Sequence, residues 1–235
     1  MKKVLFLIFA LNLTACTELQ NLASSVLTEE SLTPAQIGKG LKEALTVGIS
    51  KGAERLSVTD GYYKSIYKIL LPEEAQKITS KLRNVPLFGD VEEKIIEKIN
   101  RAAEDAAKKA KPIFVNAITA MTFQDATSIL MGNDDAATRY LHRVTYNQLY
   151  DEFRPVIVNS LNKFGALDYW ADAVNTYNKL PFVEKQNPRL DDFVANRALD
   201  GLFSMVEKKE VEIRKNVSAR TSELLKKVFA KQDNK

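Results

Sequence analysis

Two adjacent aspartates and a histidine are the strongest candidates for chemistry in this sequence. Asp134 and Asp135 stand side by side, and His142, the single histidine, comes seven residues after Asp135. On a helix this spacing is about two turns, which places the imidazole and a carboxylate on roughly one face. Carboxylate oxygens suit calcium or magnesium, and carboxylates with separated pKa values can perform acid–base hydrolysis. The sequence therefore offers Asp134, Asp135 and His142 as a candidate ligand or metal site.

Simpler roles compete with chemistry for these three residues. Asp134 stands where an N-cap is expected, and Asp135 where a carboxylate interacts favourably with a helix dipole. His142 lies between Leu141 and Arg143, a setting typical of a surface or boundary position. The sequence contains no G-x-S-x-G, H-E-x-x-H or C-x-x-C motif, so no catalytic residue, structural metal or cofactor is predicted. A non-enzymatic protein is favoured over an enzyme.

Aromatic side chains form a second group of candidates. Tyr62, Tyr63 and Tyr67 cluster after Asp60-Gly61, and a further cluster surrounds Trp170. Such rings can stack on sugars or line an apolar groove, because each offers a rigid amphipathic face. A core or boundary role is the commoner one, and both interpretations stay open.

The first sixteen residues have the pattern of a secretory leader. Two lysines precede an apolar run over residues 4–11, and small residues follow the run. A transmembrane helix needs about 20 apolar residues, so this run is too short to be one. Leu13-Thr14-Ala15-Cys16 resembles the bacterial lipobox. Residues 1–15 are therefore predicted to be a lipoprotein signal peptide, and Cys16 the lipidated first residue of the mature chain.

Lipid attachment is the expected use of the only cysteine. Cys16 has no second cysteine with which to form an intramolecular disulfide, and a buried free thiol is the alternative. Acyl chains contribute about 0.8 kcal/mol per buried methylene, so several of them would anchor the protein stably at a membrane. Thr17, rather than aspartate, follows Cys16, which by resemblance to the sorting rule of Gram-negative lipoproteins favours the outer membrane, facing the periplasm. Residues 16–30 are predicted to be the lipidated cysteine and a flexible tether.

The composition is that of an ordinary globular protein with little net charge. The chain has 235 residues, of which 45% are hydrophobic and 27% charged. Removal of residues 1–15, which contain two of the 34 basic residues and no acid, leaves 32 basic and 30 acidic residues. Because the small lysine clusters are interleaved with acids, nucleic acid is not an expected partner. A protein partner or an apolar small molecule is expected instead, and the oligomeric state stays open.

Apolar residues recur with helical spacing from residue 31 onward. This pattern predicts one all-α domain over residues 31–235, with about seven to nine helices, several of them kinked or interrupted by proline. The helices are expected at roughly 37–56, 72–84, 91–111, 113–121, 122–132, 134–165, 167–179 and 190–230, with Pro112 and Pro155 as interruptions. Capping boxes are predicted at Asp90 with Glu93 and at Thr122 with Asp125. The charged C-terminal stretch, 206–235, is expected to project as a solvated or partner-bound helix.

The first of these helices contains four glycines. They are Gly38, Gly40, Gly48 and Gly52. Each glycine costs about 1 kcal/mol relative to alanine in a helix interior, so something must offset them. Close approach of other helices is the expected compensation.

Several motifs in one order resemble a known family. They lie, in chain order, at 111–118, 121–126, 132–140 and 197–203. Over about residues 41–214 the chain resembles the bacterial envelope family catalogued as domain of unknown function 4197. The resemblance implies a helical, secreted or lipid-anchored bacterial protein and carries no activity with it. It also marks the segment 132–138 for inspection, with Asn133 where glycine is expected.

These observations predict a lipid-anchored bacterial envelope protein of unknown function. Its helical domain is expected to be a non-enzymatic binding or structural module. The alternative is a metal- or carboxylate-dependent hydrolase of envelope material that uses Asp134 and Asp135.

Overall fold

The computed structural model describes residues 32–163, 165–186 and 190–233, and within these ranges all regular structure is helical. The elements are α1 (Pro34–Leu56), α2 (Glu73–Leu82), α3 (Val91–Ala107), α4 (Ala110–Ala120), α5 (Phe123–Leu130), α6 (Ala136–Lys163), α7 (Ala166–Tyr177), α8 (Asp191–Lys215), a 3-10 turn (Val217–Ala219) and α9 (Glu223–Asp233). The described residues therefore form the single all-α domain that the sequence predicts. The leader, Cys16 and the tether lie outside the described residues. No helix in the described part of the chain is long and apolar enough to cross a membrane.

The core forms around the two longest helices, α6 and α8. α6 packs against α3 and α8, while α8 also packs against α1, and α1 contacts α4, α5 and α9. Fully buried side chains line the contacts of α6 and α8, among them Leu141, Leu149, Phe153, Leu199 and Leu202. Burial of one such side chain stabilises the fold by about 1.5–3 kcal/mol. The apolar stripes that predicted the helices are thus the surfaces that join them.

Proline acts differently in α4 and α6 from the sequence prediction. α6 runs unbroken through Pro155, so the predicted interruption there is wrong. Pro155 is exposed, whereas Phe153 and Ile157 beside it are fully buried, and their packing offsets the backbone hydrogen bond that proline cannot make. Pro112 lies in the first turn of α4, where a missing N–H is tolerated, and the break precedes it, after Ala107.

One of the two predicted capping boxes is present. At the start of α5, Thr122 and Asp125 exchange both hydrogen bonds of the box. At the start of α3, Asp90 makes no side-chain cap bond, so that prediction is wrong. The carboxylate of Asp90 instead lies 2.7 Å from Nζ of Lys94. The competing ion pair one turn later explains the failed prediction.

The C-terminal stretch folds back onto the domain, so the predicted projecting helix over 206–235 is wrong. The helix predicted over 190–230 ends at Lys215, and after a 3-10 turn α9 packs against α1. The buried guanidinium of Arg220 donates hydrogen bonds to the carbonyls of Ile213 (3.1 Å) and Arg214 (2.8 Å) and pairs with Asp233 at 2.6 Å. This bridge satisfies the end of α8 and ties it to the end of α9.

The glycines of α1 face side chains of other helices, as predicted. A Cβ atom built at each would lie within about 3 Å of a neighbour: Phe123 at Gly38, Val228 at Gly40, Ile213 at Gly48 and Met205 at Gly52. Three helices, α5, α8 and α9, therefore approach α1 closely at these glycines. The resulting contacts offset the poor helix propensity of glycine.

We expect Gly40→Ala to lower the free energy of unfolding by about 1–3 kcal/mol, because the new Cβ would lie 2.7 Å from Cγ2 of Val228 and push α9 outward. Helix propensity alone predicts the opposite, a gain of about 1 kcal/mol. Urea unfolding followed by circular dichroism measures the sign, with Lys39→Ala, an exposed neighbour, as the control. A stabilised Gly40→Ala chain would contradict the packing of α9 on α1.

Candidate functional site

The predicted aspartate pair lies in the loop between α5 and α6. The carboxylate of Asp134 lies 2.5 Å from Nζ of Lys215, and that of Asp135 lies 3.2 Å from Nη2 of Arg139. The two carboxylates thus pair with cations on different helices. His142 is exposed on α6, with its ring 4.6 Å from the ring of Phe203. Among the described residues, no group of three or more His, Cys, Asp and Glu side chains is placed to hold a metal ion.

The N-terminus of α6 is capped by a residue of another helix, not by Asp134. Glu210 of α8 is buried, and its carboxylate accepts hydrogen bonds from the backbone N–H groups of Ala137 (2.9 Å) and Thr138 (2.8 Å). It also accepts from the Thr138 hydroxyl at 2.8 Å. These donors are among the four that every helix N-terminus leaves without an intrahelical partner. The predicted N-cap role of Asp134 is therefore wrong.

Arg214 completes this arrangement from the next turn of α8. Its guanidinium lies 2.7 Å from the Glu210 carboxylate, and the two side chains are only 3% and 4% exposed. It also donates hydrogen bonds to the carbonyls of Ile129 (2.8 Å) and Leu130 (3.1 Å) at the end of α5. One buried ion pair thus satisfies backbone groups at both helix ends that flank the loop between α5 and α6, which we call the aspartate loop. The sequence does not predict this pair, because Glu210 and Arg214 stand in a densely charged stretch that looks solvent-exposed.

Two of the motifs singled out in the sequence meet in the core of the fold. Phe114, from the motif at 111–118, packs edge-on against Phe203 of the motif at 197–203, with ring centroids 5.7 Å apart. A family model described as "Protein of unknown function (DUF4197)" matches residues 31–230, most of the chain. The chain belongs to the DUF4197 family. Neither a curated protein nor a solved structure shows a significant match to it.

Two adjoining grooves distinguish another face of this DUF4197 chain, where the α1–α2 loop, residues 57–72, packs against α8. The apolar groove has a volume of about 470 Å³, and its apolar lining includes Ile66, Ile69, Leu70, Leu71, Pro72 and Phe193. The basic groove, of about 420 Å³, is lined by Arg55, Lys64, Lys208, Lys209, Tyr67 and Met205, together with Ser65 and Ile66. Ile66 and Tyr67 line both grooves, so the two are neighbours and form one groove pair.

Helix α3 holds the α1–α2 loop in place with two buried side chains. The carboxylate of Glu104 accepts hydrogen bonds from the backbone N–H groups of Tyr62 and Tyr63, each at 3.1 Å. The side-chain amide of Asn100 accepts from the N–H of Ile69 (2.8 Å) and donates to its carbonyl (2.9 Å). Because the loop has no regular secondary structure, these bonds satisfy backbone groups that a helix or sheet would otherwise pair.

Contacts with α1 and α8 fix the same loop from the other side. At Gly61 a Cβ would lie 2.5 Å from the carbonyl oxygen of Arg55, so only glycine fits there. Tyr62 is fully buried and donates a hydrogen bond to the carbonyl of Ala198 at 2.7 Å. Burial raises the pKa of Tyr62 far above its ordinary value, so this hydroxyl stays a donor. Tyr62 is thus a core residue, as Trp170 is, while Tyr67 lines the groove pair.

Charge in the basic groove is one-sided. Four cations line it and no carboxylate does. Lys64 pairs with Asp60 at 3.0 Å and Lys209 with Glu212 at 2.6 Å, and neither of these carboxylates lines the groove. Among the described residues, no carboxylate lies within ion-pairing distance of Arg55 or Lys208. The basic groove therefore has cations available for an anion.

Exposed aliphatic side chains mark the apolar groove. Ile66 is 80% exposed and Leu70 57% exposed, although both are large and apolar. Exposed apolar groups beside a groove and rimmed by polar residues are typical of a binding surface. The sequence signal was the run from Lys64 to Leu71, in which apolar and basic residues alternate irregularly. It was missed because the run has neither helical nor strand periodicity.

Proposed function

We propose that this protein is a lipid-anchored bacterial envelope protein, attached to the outer membrane and facing the periplasm, whose helical domain is a non-enzymatic binding module. The groove pair is its binding surface. One observation carries this proposal: an apolar groove and a basic groove meet at Ile66 and Tyr67 on a loop that buried polar side chains hold in place. A surface fixed before its ligand arrives loses little conformational entropy on binding.

The lipid anchor is supported by the leader and the lipobox-like segment at Cys16. Membership of a family that matches residues 31–230 leaves residues 1–30 outside the matched domain, as expected for a leader and tether. Acyl chains on Cys16 would hold the domain at the membrane without a spanning helix. The module would then meet its ligand at the membrane surface or in the adjoining periplasm.

The aspartate loop supports binding less well than the groove pair does. Asp134 and Asp135 each pair with a cation. The loop that carries them has a structural explanation, because Glu210 and Arg214 satisfy the two helix ends beside it. Hydrolysis by a carboxylate pair needs two groups that face one substrate with separated pKa values. No observation favours that arrangement here, so the hydrolase is not the function proposed.

Native mass spectrometry of the protein, released from bacterial membranes in mild detergent, tests both parts of the proposal. We expect a chain that begins at Cys16 and carries the mass of acyl groups, with a second, non-covalent mass bound to it. Cys16→Ser should abolish the acyl mass and cleavage before residue 16. A wild-type chain that starts elsewhere, or lacks acyl groups, would contradict the anchor.

The non-covalent mass is assigned to the groove pair by a matched pair of variants. Ile66 and Tyr67, which line both grooves, form the ridge between them. Ile66→Ser removes an exposed aliphatic side chain from this ridge, and Leu87→Ser removes one that is 88% exposed and lines neither groove. We expect the bound mass to be lost in Ile66→Ser and kept in Leu87→Ser. Equal retention in both variants would contradict the groove pair as the binding surface.

A further inference from the structure

We propose that the groove pair binds a single anionic amphiphile, with its acidic headgroup in the basic groove and its hydrocarbon chain in the apolar groove. This inference rests on the proposed binding function and names the chemical class of its ligand. It follows from three features: cations available in one groove, an open apolar surface in the other, and a shared ridge between them.

Charge in the basic groove favours an acidic headgroup there. Arg55 and Lys208, for which the described residues show no direct ion pair, line the basic groove together with Lys64 and Lys209. A phosphate, sulfate or carboxylate placed there would accept charge-assisted hydrogen bonds, which are about twice as strong as neutral ones. The planar guanidinium of Arg55 is suited to bidentate contact with such a group. A cationic headgroup would meet repulsion in the same groove.

The size and the exposed lining of the apolar groove suit a hydrocarbon chain. The apolar groove, of about 470 Å³, falls within the range typical of small-molecule sites. Three charged residues also line it, Lys68, Arg197 and Asp200, and the last two pair with each other at 3.3 Å. Leu70 and Phe193 offer an apolar wall to a chain, and each methylene buried against it adds to the affinity. A small inorganic anion would leave this wall exposed to water.

The ridge explains why one molecule should occupy both grooves. Ile66 and Tyr67 line both, so a ligand that crosses the ridge engages the cations and the apolar wall at once. When two contacts are linked in one molecule, the second forms at a high effective concentration. Neither groove alone provides that gain. An anionic amphiphile is therefore expected to bind more tightly than either of its halves.

Isothermal titration calorimetry with monododecyl phosphate below its critical micelle concentration tests the proposal on residues 16–235, produced without the leader and carrying Cys16→Ser. We expect saturable binding of one molecule per chain, with inorganic phosphate and dodecyltrimethylammonium each binding at least about ten-fold more weakly. Lys208→Glu and Ile66→Ser should each weaken binding about ten-fold. The matched controls, Lys227→Glu on α9 and Leu87→Ser, should leave binding unchanged.

Four outcomes would overturn the proposal. Equal binding of the phosphate and the ammonium amphiphile would remove the charge argument, and equal binding of inorganic phosphate would remove the apolar one. Vesicles of phosphatidylglycerol that bind in a Lys208-dependent manner, when monomeric amphiphile does not, would make this face a membrane-docking surface instead. If a native bound mass is lost in Ile66→Ser while monododecyl phosphate fails to bind, the binding function stands and only the ligand class is wrong.

Discussion

The Arg214→Met chain is expected to lose about 3–5 kcal/mol of unfolding free energy, because the substitution leaves Glu210 charged, buried and without its cation. The same change removes donors from the carbonyls of Ile129 and Leu130 at the end of α5. Methionine fills a similar volume, so packing loss contributes little. Urea unfolding by circular dichroism and tryptophan fluorescence, extrapolated to water, measures the loss.

A double-mutant cycle separates the ion pair from a general loss of packing. Glu210→Gln removes the charge and keeps one of the two oxygens, which can still accept from Ala137 or from Thr138. Because the double variant buries no unpaired charge, it should be more stable than the sum of the single losses by about 0.5–3 kcal/mol. Strict additivity would contradict the pairing.

An exposed ion pair of the same loop provides the matched control. Lys215→Ala removes the cation beside Asp134, and both side chains of that pair are more than half exposed. Exposed pairs contribute about 0–1 kcal/mol, so this variant should unfold almost as the wild type does. A loss as large as that of Arg214→Met would mean that the aspartate pair, rather than the buried pair, holds the loop.

The Glu104→Ala chain is expected to lose about 2–4 kcal/mol of stability and to bind amphiphile weakly. The substitution leaves the N–H groups of Tyr62 and Tyr63 without their acceptor, and each unsatisfied buried group costs about 1–3 kcal/mol. It also removes the Arg101 contact at 3.0 Å. The α1–α2 loop, which carries Ile66 and Tyr67, should then become mobile while the helices stay folded.

Hydrogen exchange and calorimetry together test this second expectation. Amide protection should fall in residues 57–72 more than in α6 or α8, and monododecyl phosphate should bind at least about five-fold more weakly because the groove pair is no longer preformed. Glu97→Ala, two turns earlier on α3 and more than half exposed in a 3.5 Å pair with Arg101, is the control. Equal protection in the two variants would contradict the role assigned to Glu104.

Helix positions were largely predictable because each apolar stripe is a local property of the sequence. Residues such as Ile95, Ile99 and Ala102 recur at the spacing of one helix face, and all three are fully buried. Helix ends were harder to predict. The box at Thr122 and Asp125 uses groups three residues apart, whereas α6 is capped from α8 by Glu210, about seventy residues along the chain.

The candidate site was predictable only in part. Asp134, Asp135 and His142 stand out by residue type, but the structure gives the two carboxylates separate cations and leaves the ring of His142 against Phe203. Tyr67 was among the aromatic candidates and does line the groove pair. Arg55 and Lys208 could not be linked from the sequence, since more than 150 residues separate them and only the packing of α1 on α8 brings them together.

The sequence by itself determined the helical class, the family and the close approach of other helices to α1. Each rests on a local pattern of residues: the spacing of apolar residues, the short motifs and the repeated glycines. Tertiary structure alone decided which charges are buried. Glu210, Arg214 and Arg220 look like solvated residues of a charged tail, yet each is at most 5% exposed. These three side chains bind backbone groups at helix ends, which have no sequence signature, so only the folded structure shows that their charges are structural. For the same reason only the folded structure shows that the cations of the basic groove are available to an anion.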